Sequence, residues 1–401
     1  MQEYGLSGKN IICFAGEDWW YHHPHSKNHI LKRLTLHNKV LFVNSLTMGL
    51  PAASNPDFFA KIWRKLKSML RWLRRAPEGL WVMTPISFPL YSWAFARRLN
   101  RTLLRLQFKC VQLFPGFRDP IVWVAVPSAA EIIDCIPAQL LIYQVSDKYD
   151  ANQDSVTSAT LIRQWDGLLK RKAAVVMYSG RKLFEESSEP HRYFLEQAVD
   201  FDHFANTSAE PAPDILRIPR PILGYFGWMD YIMDGPLVAE VAKLRPDWHW
   251  VFIGHKSNLF EAQGPNIHFL GPKAYRDLPR YLACIDVCVL PWRKDRFTSY
   301  GSAIKVKEYL ASGKPVVMSP LYEYAQCPGI RVYHTAREFI SQVEDALTND
   351  TQFDRQLRQE TVRGATWDCR AREVGELITS LLHPNGRDLP DTKVVTPTQT
   401  L

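Results

Sequence analysis

The stretch Thr298–Pro320, TSYGSAIKVKEYLASGKPVVMSP, holds the residue types best suited to chemistry. Thr298, Ser299, Gly301, Ser302 and Ala303 are small. Ala303–Ser312 places Ile304, Val306, Leu310 and Ala311 at the spacing of one amphipathic helix. Gly313 suits a left-handed helix end, Pro315 stops the helix, and Val316–Met318 reads as a short buried strand. A small-residue loop entering a helix leaves several backbone N–H groups unpaired, with the positive end of the helix dipole behind them, and that is an anion site. Glu308 sits one turn further in, where a carboxylate can accept two hydroxyl hydrogen bonds. A diphosphate near Ser302–Lys305 with a diol near Glu308 describes a nucleotide sugar. An ordinary strand–loop–helix unit that binds nothing fits the same composition.

The run Lys305–x–x–Glu308–Tyr309–Leu310–Ala311–Ser312–Gly313–Lys314–Pro315–Val316–Val317 resembles the donor-site signature of group 1 (family-4-type) glycosyltransferases of the GT-B fold. The branch it resembles most assembles bacterial cell-surface polysaccharides, teichuronic-acid-type transferases among them. The resemblance implies that the amides of Ser302, Ala303 and Ile304 hold a donor diphosphate and that Glu308 binds the nucleotide ribose. Lys305 matches a lysine of the pattern that approaches the phosphates, and Thr298 matches as well. Many members carry a second glutamate eight residues before the helix one, contacting the transferred sugar. Tyr300 stands there in this chain, so no side chain is assigned to that sugar.

The rest of the chain must position this stretch. Its 401 residues, 46% hydrophobic, favour two domains. Met1–Asn10 is polar and does not read as a signal peptide, and no stretch is long and uncharged enough to span a bilayer. Seven scattered cysteines suit a reducing compartment, and Cys284 and Cys288 read as core residues rather than zinc ligands. The net charge of +8 is concentrated early. Lys61–Arg75 holds seven basic residues and no acid, and reads as a basic amphipathic helix with Trp63 and Trp72 at its edges. Trp93, Phe95, Arg97, Arg98, Arg101 and Arg105 continue the pattern. An anionic membrane surface is the expected partner, with a helix packed on its own domain as the alternative. Nucleic acid is not expected.

Buried strands are predicted at Asn10–Ala15, Lys39–Asn44, Gly79–Thr84, Ile121–Val126, Leu140–Val145 and Ala173–Tyr178, with a helix over Leu90–Leu113. Gly16 could let the backbone approach a ligand at a strand's carboxyl end. Asp18, Trp19, Trp20, His22 and His25 follow, in a loop whose rings and polar heads suit a sugar and in GT-B enzymes faces the cleft. His25 and His29 could suit a metal, but no partner ligand accompanies them. Asp147 ends the strand Leu140–Val145. Related transferases carry Tyr–x–x–x–Asp there, matched by Tyr143–Asp147, which implies orientation of an acceptor hydroxyl; capping the following turn explains it equally well. The pair Asp200 and Asp202 resembles an interdomain segment rather than a metal motif.

A second alternation starts at Ile222–Phe226 and continues through Trp250–Ile253, Ile267–Leu270, Val287–Leu290 and Val316–Met318. Gly227, after the first of these, would let the backbone approach phosphates or sugar, and Arg293 could balance diphosphate charge.

The expectation is therefore an α/β chain of the GT-B class. Residues 1–205 form a Rossmann-like acceptor domain with a basic amphipathic segment at 58–118, 206–221 a linker, and 222–365 a Rossmann-like donor domain facing a central cleft. Residues 366–383 form a helix crossing back to the first domain, and 384–401 a disordered tail. The resemblance implies a retaining transferase that needs no cofactor and no metal. Its Asp147, Lys305 and Glu308 act on a nucleotide sugar and a glycan or lipid-linked acceptor, at the cytoplasmic face of the cell membrane. A nucleotide-sugar 2-epimerase and a non-catalytic glycan- or membrane-binding relative are the rivals.

Overall fold

The computed structural model describes residues 4–20, 24–45, 63, 67, 72–88, 94–113, 116–151, 157–205 and 210–383. They group into two units, one of residues 1–196 with 370–401, the other of residues 197–369.

The first unit is built on eight strands: β1 Asn10–Phe14, β2 Lys39–Val43, β3 Leu73–Arg75, β4 Trp81–Met83, β5 Ile121–Val124, β6 Leu140–Val145, β7 Val175–Tyr178 and β8 Arg192–Phe194. Their order is β3-β4-β2-β1-β5-β6-β7-β8, and only the β3–β4 pair is antiparallel. The central strands are apolar along their length because helices cover both faces; Ile11, Ile12, Cys13 and Phe14 are each at most 1% exposed.

The second unit carries β9 Ile222–Phe226, β10 His249–Ile253, β11 Ile267–Gly271, β12 Val287–Leu290, β13 Val316–Met318 and β14 Ile330–Val332. All are parallel, in the order β11-β10-β9-β12-β13-β14. The chain builds one half outward from β9 and then returns to its other side with β12. That reversal opens a crevice at the carboxyl ends of β9 and β12, where open sheets of this kind take ligands. In the first sheet the equivalent reversal lies between β1 and β5.

The helix Ile304–Ser312 follows β12 and is fixed at both ends. The Tyr324 hydroxyl donates to the carbonyl of Ala303 at 2.8 Å. At the other end Gly313 takes φ 72°, where a Cβ would lie 2.6 Å from Arg355. The fully buried Arg358 donates to the Gly313 carbonyl at 3.1 and 2.7 Å and pairs with Asp350 at 2.6 Å.

Three expectations need correction. Leu73–Arg75 is a strand paired with Trp81–Met83, not the end of a helix: the short Pro77–Glu78–Gly79 turn, closed by Gly79 at φ 92°, folds it back as a hairpin. Trp63 and Lys67 are helical, and the remainder of Lys61–Arg71 lies outside the described residues. Gln197–Ala205 groups with the second unit because Val199, Phe201 and Phe204 pack in its core. Of the expected linker, residues 206–209 lie outside the described residues. The rest is held on the second unit, with Ala212 and Ile215 buried in its core and Asp214 paired to Lys273 at 2.7 Å. Proline and alanine read as flexible, but these two apolar side chains bury.

The helix Trp367–Leu382 returns the chain to the first unit from Arg370 onward. Ala371, Val374, Leu377 and Ile378 are buried there, and the Thr379 hydroxyl donates to the Gly5 carbonyl at 2.8 Å. The tail at 384–401 lies outside the described residues.

Candidate functional site

The second sheet's crevice is laced by the loops leaving β9 and β12. The Arg293 amide donates to the Ile232 carbonyl at 2.7 Å, and the Asp234 amide donates to the Pro291 carbonyl at 2.8 Å. Lys305, in the first turn of the helix Ile304–Ser312, reaches into this crevice. Its ammonium donates to the Tyr225 hydroxyl at 2.9 Å and lies 4.7 and 4.9 Å from the ring centres of Tyr225 and Trp292. Tyr225 gives its own proton to the Trp228 carbonyl at 3.0 Å, so its oxygen lone pairs stay turned to the lysine. Two rings and one acceptor hold the charge in place without neutralising it.

Among the described residues no backbone carbonyl accepts from the N–H groups of Ser302, Ala303, Ile304 or Lys305, and the N-cap residue Ala303 offers no side chain to do so. The Ser302 hydroxyl is sealed from solvent with no partner among the described residues. Glu308 is only 7% exposed, and no described group donates a hydrogen bond to it. Its burial is tighter than an open diol-binding carboxylate would have. Burial pushes its carboxyl up to about 8; nearby Lys305 opposes the rise and Asp200 adds to it. Asp200 in turn accepts from the Tyr275 hydroxyl at 3.1 Å. Unpaired N–H donors, a held cation and a carboxyl without a donor therefore share one helix end.

Gly227 has φ 141°, and a Cβ there would lie 2.6 Å from the Lys305 ammonium. A Cβ at Gly254 would lie 2.0 Å from the Gly227 carbonyl oxygen, so the loops after β9 and β10 touch backbone to backbone. Arg293 is exposed, with its Nε donating to the Met233 carbonyl at 3.0 Å. Thr298 is consumed by its own loop: its hydroxyl donates to the Arg293 carbonyl at 2.7 Å and accepts from the Asp295 amide at 3.0 Å. Gly16 is exposed after β1, and a Cβ there would meet only Val126 at 3.6 Å. Its backbone conformation does not demand glycine.

In the first unit several of the expected site residues are engaged within the fold. Asp18 accepts from the Trp20 amide at 3.0 Å and from Asn44 at 3.1 Å, which braces its turn. Trp19 packs edge-on against Phe42, and Arg74 lies 4.2 Å over the Trp20 ring. The expected sugar-stacking faces are thus partly used within the fold. His25 precedes the helix Ser26–Leu34, its amide donating to the Asn28 side chain at 3.0 Å. His22 lies outside the described residues. Glu17 and Lys27 form a buried pair at 2.7 Å. Asp147 is half-buried beside them with no described hydrogen-bond donor; burial raises its carboxyl, Lys27 lowers it and Glu17 raises it. Tyr143, four residues before it, gives its hydroxyl to Asp166 at 2.7 Å.

Tyr225, Trp292 and Tyr324 were not singled out by their sequence context. The only signal for the first two is topological: they sit near the carboxyl ends of the two strands flanking the reversal.

Two Rossmann-like sheets, each reversing its strand order, define the GT-B architecture. Solved structures agree at the level of the fold. Sucrose-phosphate synthase from Thermosynechococcus elongatus superposes with a TM-score of 0.70 at 13% identity, covering 93% of this chain and 99% of that one. The Anabaena Alr3699/HepE protein, solved with UDP and glucose, gives 0.61 at 13% identity, covering 92% and 99%. The same protein solved with UDP-glucose gives 0.61 at 14% identity, covering 92% and 99%. Residues 220–349 match the family described as glycosyl transferases group 1, and the second unit carries a domain of that family. A curated relative, TuaH of Bacillus subtilis strain 168, is assigned as a teichuronic acid biosynthesis glycosyltransferase. It is 25% identical over 193 residues, covering 45% of this chain and 49% of TuaH, so the match spans about half of that relative's length.

Proposed function

We propose that this chain transfers a sugar from a nucleoside-diphosphate sugar to a hydroxyl of a glycan or lipid-linked acceptor. The reaction proceeds with retention of configuration, in cell-surface polysaccharide assembly at the inner face of the membrane. One observation carries the reading: four N–H groups at Ser302–Lys305 have no described carbonyl partner and lie in sequence with a held lysine one turn from a buried carboxyl. As the donor's glycosidic bond breaks, negative charge builds on the diphosphate. These amides and Lys305 are set to meet that charge without reorganising. An oxygen of the leaving diphosphate takes the proton of the incoming hydroxyl, which is why no side-chain nucleophile is needed. Glu308 accepts from the ribose hydroxyls, and Asp147 orients the acceptor. UDP and UDP-glucose bound to the HepE fold relative, and the assignment of TuaH, support the substrate class.

The test is a thermal-shift panel of UDP, GDP, ADP and dTDP with their sugars on the full chain. One nucleotide family stabilises the parent and fails to stabilise Lys305→Ala or Glu308→Ala. Stabilisation by none of them, or equal stabilisation of both variants, rejects the site.

A further inference from the structure

The helix Ala94–Leu113 (AFARRLNRTLLRLQFKCVQL) contains no acidic residue and divides into three faces rather than the usual two. At about 100° per residue, the buried residues Ala96, Asn100, Leu104, Phe108 and Val111 fall on one side and pack into the first unit. A solvated helix would fill the remaining half with polar groups. Here Phe95, Leu99, Leu106 and Leu113 lie within about 40° of one another on that outer half. Their exposures are 76%, 38%, 56% and 74%. Beside this apolar stripe runs a basic one of Arg98, Arg101, Arg105 and Lys109, all exposed and spanning about 80°.

The charges on the basic stripe are largely uncompensated. Arg101 meets Glu131 at 3.4 Å, whereas none of the described carboxylates pairs with Arg98, Arg105 or Lys109. Two more exposed apolar side chains lie alongside. Ile86 and Phe88, 43% and 50% exposed, belong to a segment tied to the helix by Gln107 and Asn100. Large apolar side chains in water are ordinary when scattered; a continuous stripe of them marks a contact surface.

We infer that this face of Ala94–Leu113 is the element by which the chain docks on an anionic lipid surface. The helix lies in the plane of the interface, with Phe95, Leu99, Leu106 and Leu113 in the acyl boundary and Arg98, Arg105 and Lys109 on the headgroups. The two adjoining stripes match the two layers such a surface presents, and the absence of any acid on the helix fits negative lipid rather than a mixed-charge protein partner. This rests on the membrane-side function proposed above only for its setting, because lipid binding is read without donor or acceptor.

Flotation of the full chain with phosphatidylcholine vesicles, alone or mixed with phosphatidylglycerol, tests it. The parent floats with the mixed vesicles and is released by salt. Phe95→Ser/Leu106→Ser/Leu113→Ser lowers its partition at least about tenfold, Arg98→Ala/Lys109→Ala lowers it several-fold, and Leu259→Ser on the second unit does not change it. If the triple variant unfolds, Leu113→Ser at the helix end carries the comparison. A parent that stays unbound overturns the inference, as does a triple variant that binds like the parent. A dimer in sedimentation that the triple variant dissolves also overturns it, since the face then belongs to a second copy. A chain that floats but transfers no sugar overturns the proposed function and leaves this surface standing.

Discussion

The two sheets reverse their strand order in the same way, yet they furnish the resulting crevices differently. In the second, Lys305 is held by Tyr225 and Trp292, no described acid pairs with it, and Glu308 has no described donor. In the first, Lys27 is spent on Glu17, Asp18 on the Trp20 amide and Asn44, and the Trp20 ring on Arg74. A crevice with unspent charge is organised before its ligand arrives; one with spent charge holds its own loops. The difference teaches that equivalent topological positions can commit different shares of their charge to bracing loops, Asp147 being the group the first crevice leaves without a described donor.

Breaking each lysine should expose that contrast, and the effects are expected to be the largest. Lys305→Ala lowers transfer by about 10²–10³, the loss typical of a preorganised electrostatic group, with an unfolding temperature close to the parent's. Lys27→Ala does the reverse: it leaves Glu17 buried without its cation, which costs about 3–5 kcal/mol of stability. Kinetics and thermal melts on both variants decide, and interchanged outcomes would erase the distinction.

Gly227→Ala comes next. The added methyl takes the space of the Lys305 ammonium and forces φ 141° on an L side chain, so donor affinity falls by about tenfold or more and stability by about 1 kcal/mol. Titration of donor by calorimetry reads the first effect.

The pH dependence is smaller and has a defined sign. With Glu308 pushed up to about 8, its neutral form prevails below that pH. If the carboxylate accepts from ribose, donor affinity rises as pH rises toward 8, by at most about tenfold per unit, and flattens above it. Glu308→Gln flattens the profile. The stability sign is opposite, because the folded carboxyl titrates above its unfolded value of 4.5. Its favourable contribution is complete below pH 4.5 and is lost as pH climbs through about 8. Glu308→Gln therefore melts above the parent at pH 8 and beyond, by about 2–4 °C for each kcal/mol recovered.

Tyr225→Phe gives the smallest change: the ring that faces Lys305 stays, the acceptor goes, and transfer falls several-fold with the donor's KM nearly constant. Failure to change the rate would place Lys305 by its rings alone.

Much of the second unit was legible because its signals are local. Ile222–Phe226, Val287–Leu290 and Val316–Met318 appear as strands with the expected ends, since buried parallel strands are unbroken apolar runs. Gly313 ends its helix in the left-handed conformation, as its place before Lys–Pro requires. What escaped was set at long range. β3, β8 and β14 are three-residue edge strands whose pairing partners, not their composition, make them strands. The hold on Lys305 is contributed from 80 residues earlier by Tyr225, and the consumption of Thr298 within its own loop is invisible in a list of small residues.

Arg358 has a further consequence. Because a fully buried guanidinium grips the Gly313 carbonyl just past the helix Ile304–Ser312 while Tyr324 grips the Ala303 carbonyl just before it, sliding or tilting that helix would strand a charge in the interior. The helix is a fixed datum, and any adjustment to a different substrate falls to the segments 227–234 and 291–303. Evolutionary retuning of this site would accordingly leave its record in those two segments, with the helix Ile304–Ser312 left alone.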